Sequence, residues 1–306
     1  MKVVSYHQYG PPEVLKIEDR PKPIPKDNEV LVRVYATTVT SGDTRLRSSN
    51  FPGIAWLIVR LVYGLFTPKK KVLGHEFAGV VEAVGKEVRK FAPGDEVLGT
   101  PTGLETGSYA EYLSIPENRS KGVLGLKPKS LDFNEAAALP VGGMTALYLL
   151  QKAAIQKGQK VLIYGASGSV GSIALQIAKA KGAIVTAVCS STNFEMVQSL
   201  GADELIDYKS QDYSMLGTQY DIVLDAVGKS SKTKAKKILK KEGQFVSVAG
   251  ITKPKQEHLD ALCRLAKEGK IKPYLSKVYP LNQIVAAHEY VDLGHKKGNI
   301  AIDMKP

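Results

Sequence analysis

Cysteine, tryptophan and long apolar runs are scarce in this 306-residue chain, and each scarcity excludes something. The two cysteines, Cys189 and Cys263, cannot build a disulfide framework or a four-thiolate zinc site, and read as ordinary thiols of a reducing compartment. The most apolar stretch, Ile54 to Phe66, is thirteen residues long and contains Arg60, whereas a bilayer span takes about 20 residues. It reads instead as a helix over the mouth of a cleft, with Trp56, Leu57, Leu61 and Leu65 on the packed side at three- and four-residue spacing. No stretch of signal-peptide length precedes Pro11-Pro12, so the expectation is a cytoplasmic chain without a membrane partner. Carboxylates are outnumbered, 30 Asp+Glu against 42 Lys+Arg, for a formal charge of +12, yet charged residues are an ordinary 24% of the chain. Residues 229–272 hold thirteen Lys and Arg against four Asp and Glu, and aromatics do not interleave with them, so a nucleic-acid stacking platform is not evident. No Ser-His-Asp set or paired carboxylates argue for hydrolysis.

What is present has two textures. A length of 306 residues and 43% hydrophobic composition predict two domains with real cores. Up to about Asn118, short β-branched runs such as Glu29–Val34 and Gly79–Val84 are separated by Pro and Gly clusters, which predicts a small β-rich unit. From about Phe133 strands alternate with helices of ten or more residues, as βαβ units of a doubly wound parallel sheet require. After Gly269 a helix around Ile284–Leu293 and a strand at Asn299–Ile302 read as a return to the first unit. The expected division is therefore 1–120, 121–272 and 273–306, with the last segment rejoining the first.

The strongest chemical signal is central. Val161-Leu162-Ile163-Tyr164 reads as a buried strand, followed by Gly165-Ala166-Ser167-Gly168-Ser169-Val170-Gly171 and an apolar helix. Small residues are needed here because a pyrophosphate must approach the free N–H groups and positive dipole end of the helix. Gly168 allows that approach and Gly171 allows close helix–strand packing; Ala166 replaces the first glycine of the common dinucleotide fingerprint. The bland alternative is an ordinary tight βα turn. The next strand, Ala183–Val188, ends in Cys189-Ser190-Ser191-Thr192, where an NAD enzyme places a carboxylate for the ribose 2′-hydroxyl. Small hydroxyls without a carboxylate favour NADPH, with NADH the second choice. Tyr208 completes that pocket, and Ala226-Val227-Gly228 and Val248-Ala249-Gly250 follow later strands at the sheet edge where such folds bind ligands.

Gly74-His75-Glu76-Phe77-Ala78-Gly79, Gly94-Asp95-Glu96-Val97, Gly107-Ser108-Tyr109-Ala110-Glu111-Tyr112, Gly143-Met144-Thr145-Ala146, Leu200-Gly201-Ala202-Asp203 and Gly294-His295-Lys296-Lys297-Gly298-Asn299 together closely resemble the medium-chain dehydrogenases/reductases, in their zinc-free quinone oxidoreductase-like branch. The resemblance spans nearly the whole chain. It implies a GroES-like β-rich catalytic domain built from both chain ends, a Rossmann domain between them, and a site in the cleft. It also implies that Thr145 and the backbone of residues 226–228 and 248–250 contact the nicotinamide side of the cofactor.

Zinc members of that family carry a cysteine where this chain has Thr40 of Thr40-Ser41-Gly42-Asp43, and Val141 or a neighbour stands at the third-ligand position. His75 is then a packing histidine rather than a ligand, since catalytic zinc needs about three protein donors. The expected activity is zinc-free hydride transfer from NADPH to a quinone or an α,β-unsaturated carbonyl, with Thr40 the candidate polar contact and water or a weak acid supplying the proton. Zinc-dependent alcohol oxidation, and a non-catalytic NADPH- or nucleic-acid-binding member of the fold, stand as alternatives. Thr40 bonding its own backbone is the plainer reading of that residue. Gly250 is followed almost at once by a helix near Glu257, one strand and helix short of the resembling chains, which leaves homodimer and monomer both open.

Overall fold

The computed structural model describes residues 1–104, 106–119, 121–215, 217–250, 252, 255–294 and 296–305. Two compact units share the chain: residues 1–141 with 275–306, and residues 142–274.

The first unit opens with a hairpin of β1 (Lys2–Ser5) and β2 (Lys16–Asp19). Its spine is β3 (Glu29–Thr38), whose Val30, Val32 and Val34 fill the core while the intervening positions serve the other face. β4 (Phe77–Val84), β5 (Glu96–Thr100) and β7 (Val123–Leu126) continue the sheet on one side of β3 by antiparallel pairing, and β6 (Tyr112–Pro116) pairs β3 as well. Helices α1 (Ser41–Ser48), α2 (Ile54–Tyr63) and α3 (Phe133–Ala137) belong to the same unit. The boundary falls after Val141 rather than after residue 120, because β7 is hydrogen-bonded to β5 and α3 packs on β3 and β4.

The second unit contains α4 (Pro140–Lys152) from Gly142 onward, then β8 (Lys160–Tyr164), α5 (Ser169–Ala180), β9 (Ile184–Cys189), α6 (Phe194–Ser199), β10 (Glu204–Asp207), β11 (Tyr220–Asp225), α7 (Lys232–Lys236), β12 (Leu239–Ser247) and α8 (Gln256–Lys267). Its five strands are all parallel in the order β10-β9-β8-β11-β12. β8 lies where successive strands change direction across the sheet, the switch point at which doubly wound folds bind nucleotides. Among the described residues no sixth strand follows β12, as the short connection after Gly250 predicts; residues 251, 253 and 254 of that connection lie outside the described residues. Gln176 of α5 ties down the exit of the unit, its amide donating to the Lys272 carbonyl (3.0 Å) and accepting from the Lys272 N–H (2.8 Å).

The chain then returns to the first unit as β13 (Leu275–Pro280), α9 (Ile284–Asp292) and β14 (Asn299–Asp303), with β14 antiparallel on β3. His295 of the motif before β14 lies outside the described residues.

α2 departs from expectation. Trp56, Leu57, Leu61 and Leu65, assigned above to a packed side, are 41%, 44%, 60% and 42% exposed, and no residue of the helix is buried. Its inward contacts come from Val59 and the preceding Phe51, which are half-buried against the core. Among the described residues no helix is long and apolar enough to cross a membrane.

Candidate active site

In the second unit the carboxyl ends of the strands gather nearly all the residues singled out for the cofactor. Gly165 follows β8 with φ +81°, a conformation that favours glycine, and a Cβ there would meet Val227 Cγ1 at 2.5 Å. A Cβ on Gly171 would lie 2.2 Å from the Gly165 carbonyl oxygen, so that glycine is needed for the first turn of α5 to pack on its own loop. Gly168 is different: it is the extended N-cap of α5, has no side-chain cap, and has nothing closer to a Cβ than Gly165 O at 3.5 Å. Its neighbours Ser167, Ser169 and Val170 are half-buried, so uncapped N–H groups of a 12-residue helix meet a cradle of small residues. This arrangement fits a pyrophosphate.

Two side chains that the sequence reading did not single out, Asn193 and Asp225, help to fix the flanking loops. Asn193 donates to Ser167 Oγ (3.0 Å), joining the loop after β9 to the glycine turn. Ser190, largely buried, has its hydroxyl 3.2 Å from Thr192 Oγ1. Asp225, wholly buried at the end of β11, accepts from the N–H groups of Val227 (3.1 Å), Gly228 (2.9 Å) and Ser230 (3.1 Å) and from the Ser247 hydroxyl (3.1 Å). One carboxylate thus shapes the loop of Ala226, Val227 and Gly228 and holds it to the strand end that leads into Val248, Ala249 and Gly250. Tyr208 is 47% exposed beyond β10, with its ring 6.4 Å from that of Tyr164, and so is not a core packing residue. Thr145 lies on α4, whose start abuts the same place: a Cβ on Gly142 would meet Ser169 Oγ at 2.4 Å.

The first unit holds a separate cluster of charged groups. Thr40 caps α1 in a reciprocal capping box with Asp43: its Oγ1 donates to Asp43 Oδ2 (2.6 Å) and accepts from the Asp43 N–H (3.1 Å). The single hydroxyl proton of Thr40 is therefore committed to Asp43, which supports the plainer reading of that residue. Asp43 is completely buried and also accepts from the Gly74 N–H (2.8 Å) and from His75 Nδ1 (2.7 Å). Burial alone would raise its pKa, but the His75 charge and these hydrogen bonds hold it well below the usual carboxylate range. His75 is the reciprocal case: burial opposes its charge, Asp43 outweighs burial, and its pKa is raised. His75 is therefore an ion-paired group, 31% exposed, and not the packing histidine expected.

Glu76 has another role. It is buried, with one carboxylate oxygen taking the Thr38 hydroxyl and the other the Val141 N–H (2.8 Å), while its own carbonyl takes the hydroxyls of Thr37 and Ser108 (both 2.8 Å). Burial pushes its pKa up to about 7 against the pull of those hydrogen bonds and of Lys296. Lys70 and Lys296 face this group of acids, their own pKa values pushed down by burial. The sign of the Glu76 shift makes a prediction. The folded protein holds a proton that the unfolded chain has released between about pH 4.5 and 7, so the stabilisation is full below that window and is lost as pH rises through it. Glu76→Gln should flatten the fall in melting temperature across that range, a difference on the order of 3 kcal/mol.

Two more polar side chains of this unit are buried and paired. Arg47 donates to Asp292 of α9. Tyr109 lies against His288, its hydroxyl 3.1 Å from Nε2.

Comparison with known proteins matches residues 26–125 to the alcohol dehydrogenase GroES-like domain and residues 169–276 to the zinc-binding dehydrogenase family. The 2-methylene-furan-3-one reductase of Solanum lycopersicum is 34% identical over 326 aligned residues, covering 100% of this chain and 80% of the relative. The chain belongs to the medium-chain dehydrogenase/reductase superfamily, in its quinone oxidoreductase-like branch. Another relative, the chloroplastic NADPH-dependent alkenal/one oxidoreductase of Arabidopsis thaliana, is 33% identical, with 99% of this chain and 79% of the relative covered. Among solved structures, the quinone oxidoreductase from Coxiella burnetii superposes with a TM-score of 0.83 at 28% identity, covering 100% of this chain and 99% of that one.

For a medium-chain dehydrogenase/reductase the question of zinc turns on the donor set. In this chain His75 keeps Nε2 as one possible donor, since a carboxylate on Nδ1 is compatible with ligation, but both oxygens of Glu76 are engaged, Thr40 offers a hydroxyl in place of a thiolate, and the Val141 side chain offers nothing, so the second and third donors are missing. The two thiols are elsewhere: burial pushes Cys189 at the end of β9 up to about 11 and Cys263 on α8 up to about 12, so neither is a thiolate at neutral pH. These residues do not fit a catalytic zinc.

Proposed function

We propose that the chain is a zinc-independent, NADPH-dependent reductase of quinones or of the C=C bond of α,β-unsaturated carbonyls. The observation that carries this reading is the His75–Asp43 pair, a proton source beside Thr40 in a donor set unsuited to zinc. When bound, NADPH supplies a hydride from C4 of its nicotinamide ring. The Gly168 end of α5 receives the pyrophosphate, and the loops held by Asp225 carry backbone groups to the nicotinamide side. Ser190, Ser191 and Thr192, with Tyr208, receive the adenosine ribose, and the lack of a carboxylate there favours a 2′-phosphate.

Hydride addition to an enone or quinone leaves a conjugated oxyanion that needs one proton to complete the reduction. Asp43 fixes the His75 ring through Nδ1, which leaves Nε2 as the nitrogen able to hand that proton over. Thr40, its own proton given to Asp43, can orient a substrate only as an acceptor. The test is NADPH consumption against a panel of quinones, enones and aldehydes, with zinc content and the dissociation constants of NADPH and NADH measured on the same sample. Turnover of quinones or enones by metal-free protein, with NADPH bound more tightly than NADH, is expected. Turnover that needs stoichiometric zinc, or NADPH binding with no acceptor reduced, contradicts the reading.

A further inference from the structure

The apolar face of α2 is unaccounted for by catalysis. The helix is anchored from within: Arg60 stacks 3.9 Å above the Tyr9 ring, and the Tyr9 hydroxyl bonds to the carbonyl oxygens of Tyr63 (3.1 Å) and Gly64 (2.8 Å). Outward it presents Ile54 (78% exposed), Ile58 (56%), Leu61 (60%) and Val62 (61%), continued beyond its end by Phe66 (85%). Scattered apolar residues are normal on a protein surface, but a contiguous patch on a well-anchored helix marks an interaction site.

The segment that carries it is one-signed in charge. From Thr44 to His75 the sequence holds six Lys and Arg and no carboxylate. Arg45 and Lys69 are exposed and Lys71 is half-buried, and among the described residues none of these three has a carboxylate partner within ion-pair distance. A second copy of the chain is a poor occupant, because a two-fold contact would set these cations against their own images. A helix of ten residues is about 15 Å long, too short to span a bilayer but suited to lie in the plane of its surface. We infer that α2, with Phe66 and the cations of its segment, docks the protein peripherally on an anionic lipid surface. This departs from the expectation of no membrane partner and is independent of the proposed reaction.

Trp56, the single tryptophan of the chain, sits on this helix and reports on it directly. The full-length protein is mixed with vesicles of phosphatidylcholine alone or of phosphatidylcholine with phosphatidylglycerol, and tryptophan emission and co-sedimentation are followed. A blue shift and sedimentation with the anionic vesicles, weakened by salt, are expected. Ile58→Glu combined with Leu61→Glu should weaken the binding by about tenfold or more, and Lys69→Ala by about fivefold, with melting temperatures unchanged. An unshifted emission, or equal binding to neutral vesicles, overturns the inference. So does a shift that grows with protein concentration without lipid while light scattering shows a doubled mass, which would give the face to a second copy.

Discussion

Gly168→Asp should leave the protein folded and slightly more stable while weakening NADPH binding by at least about a hundredfold. The position accepts a side chain: its φ is −82° and ψ 177°, the extended conformation of an N-cap, and a Cβ would meet nothing nearer than 3.5 Å. Asp is a favoured N-cap residue where Gly is only tolerated, so the gain is a few tenths of a kcal/mol. The same carboxylate would occupy the N–H groups and the positive dipole end that a pyrophosphate requires, and would repel it besides. An ordinary tight βα turn predicts the stability gain without the loss of binding. Thermal melting and nucleotide titration on one sample therefore separate the two, and an NADPH dissociation constant within about twofold of the parent refutes the assignment. Gly171 would not serve, because its Cβ lies 2.2 Å from a backbone oxygen and a failure to bind would report a failure to fold.

The glycine turn was legible because its requirements are local: a positive φ at Gly165, a close approach at Gly171 and a helix start at Gly168 all fall within seven residues. The two-domain architecture was legible for a related reason, since β-branched alternation and βαβ length are properties of short windows. The partners of the catalytic-side cluster were not. Asp43 and His75 are 32 residues apart and Arg47 and Asp292 are 245 apart, so nothing in a sequence window says that either pair meets. The aspartate of Thr40-Ser41-Gly42-Asp43, three residues past an N-cap and short of a metal to serve, was the available clue. Periodicity cannot say which stripe of α2 faces in, because the helix is apolar on nearly every side and the aromatic Tyr9 that anchors it is distant in sequence. Sequence texture places the first boundary early because β7 is only four residues long, and only its pairing with β5 shows that it belongs to the first unit.

His75→Gln should lower kcat by about a hundredfold with little change in NADPH affinity. Glutamine keeps the bulk and a hydrogen bond to Asp43 but has no acidic proton to give, so the loss reports proton delivery rather than the shape of the site. The pH profile makes the distinction sharper. Asp43 raises the His75 pKa above the ordinary histidine value, against burial and the nearby Lys70 charge and with a smaller contribution from Glu76. The competent form is the protonated one, so kcat of the parent enzyme is at its plateau below that raised pKa and falls as pH rises through it. In His75→Gln the alkaline fall should vanish and the low rate become flat in pH, because water then protonates the enolate. A merely structural histidine would lower stability and leave the position of the falling limb unchanged in whatever activity survived. If kcat of the variant stays within about twofold of the parent, or its profile keeps the same alkaline limb, the proton comes from solvent and the Asp43–His75 pair only holds the loop at Gly74 in place.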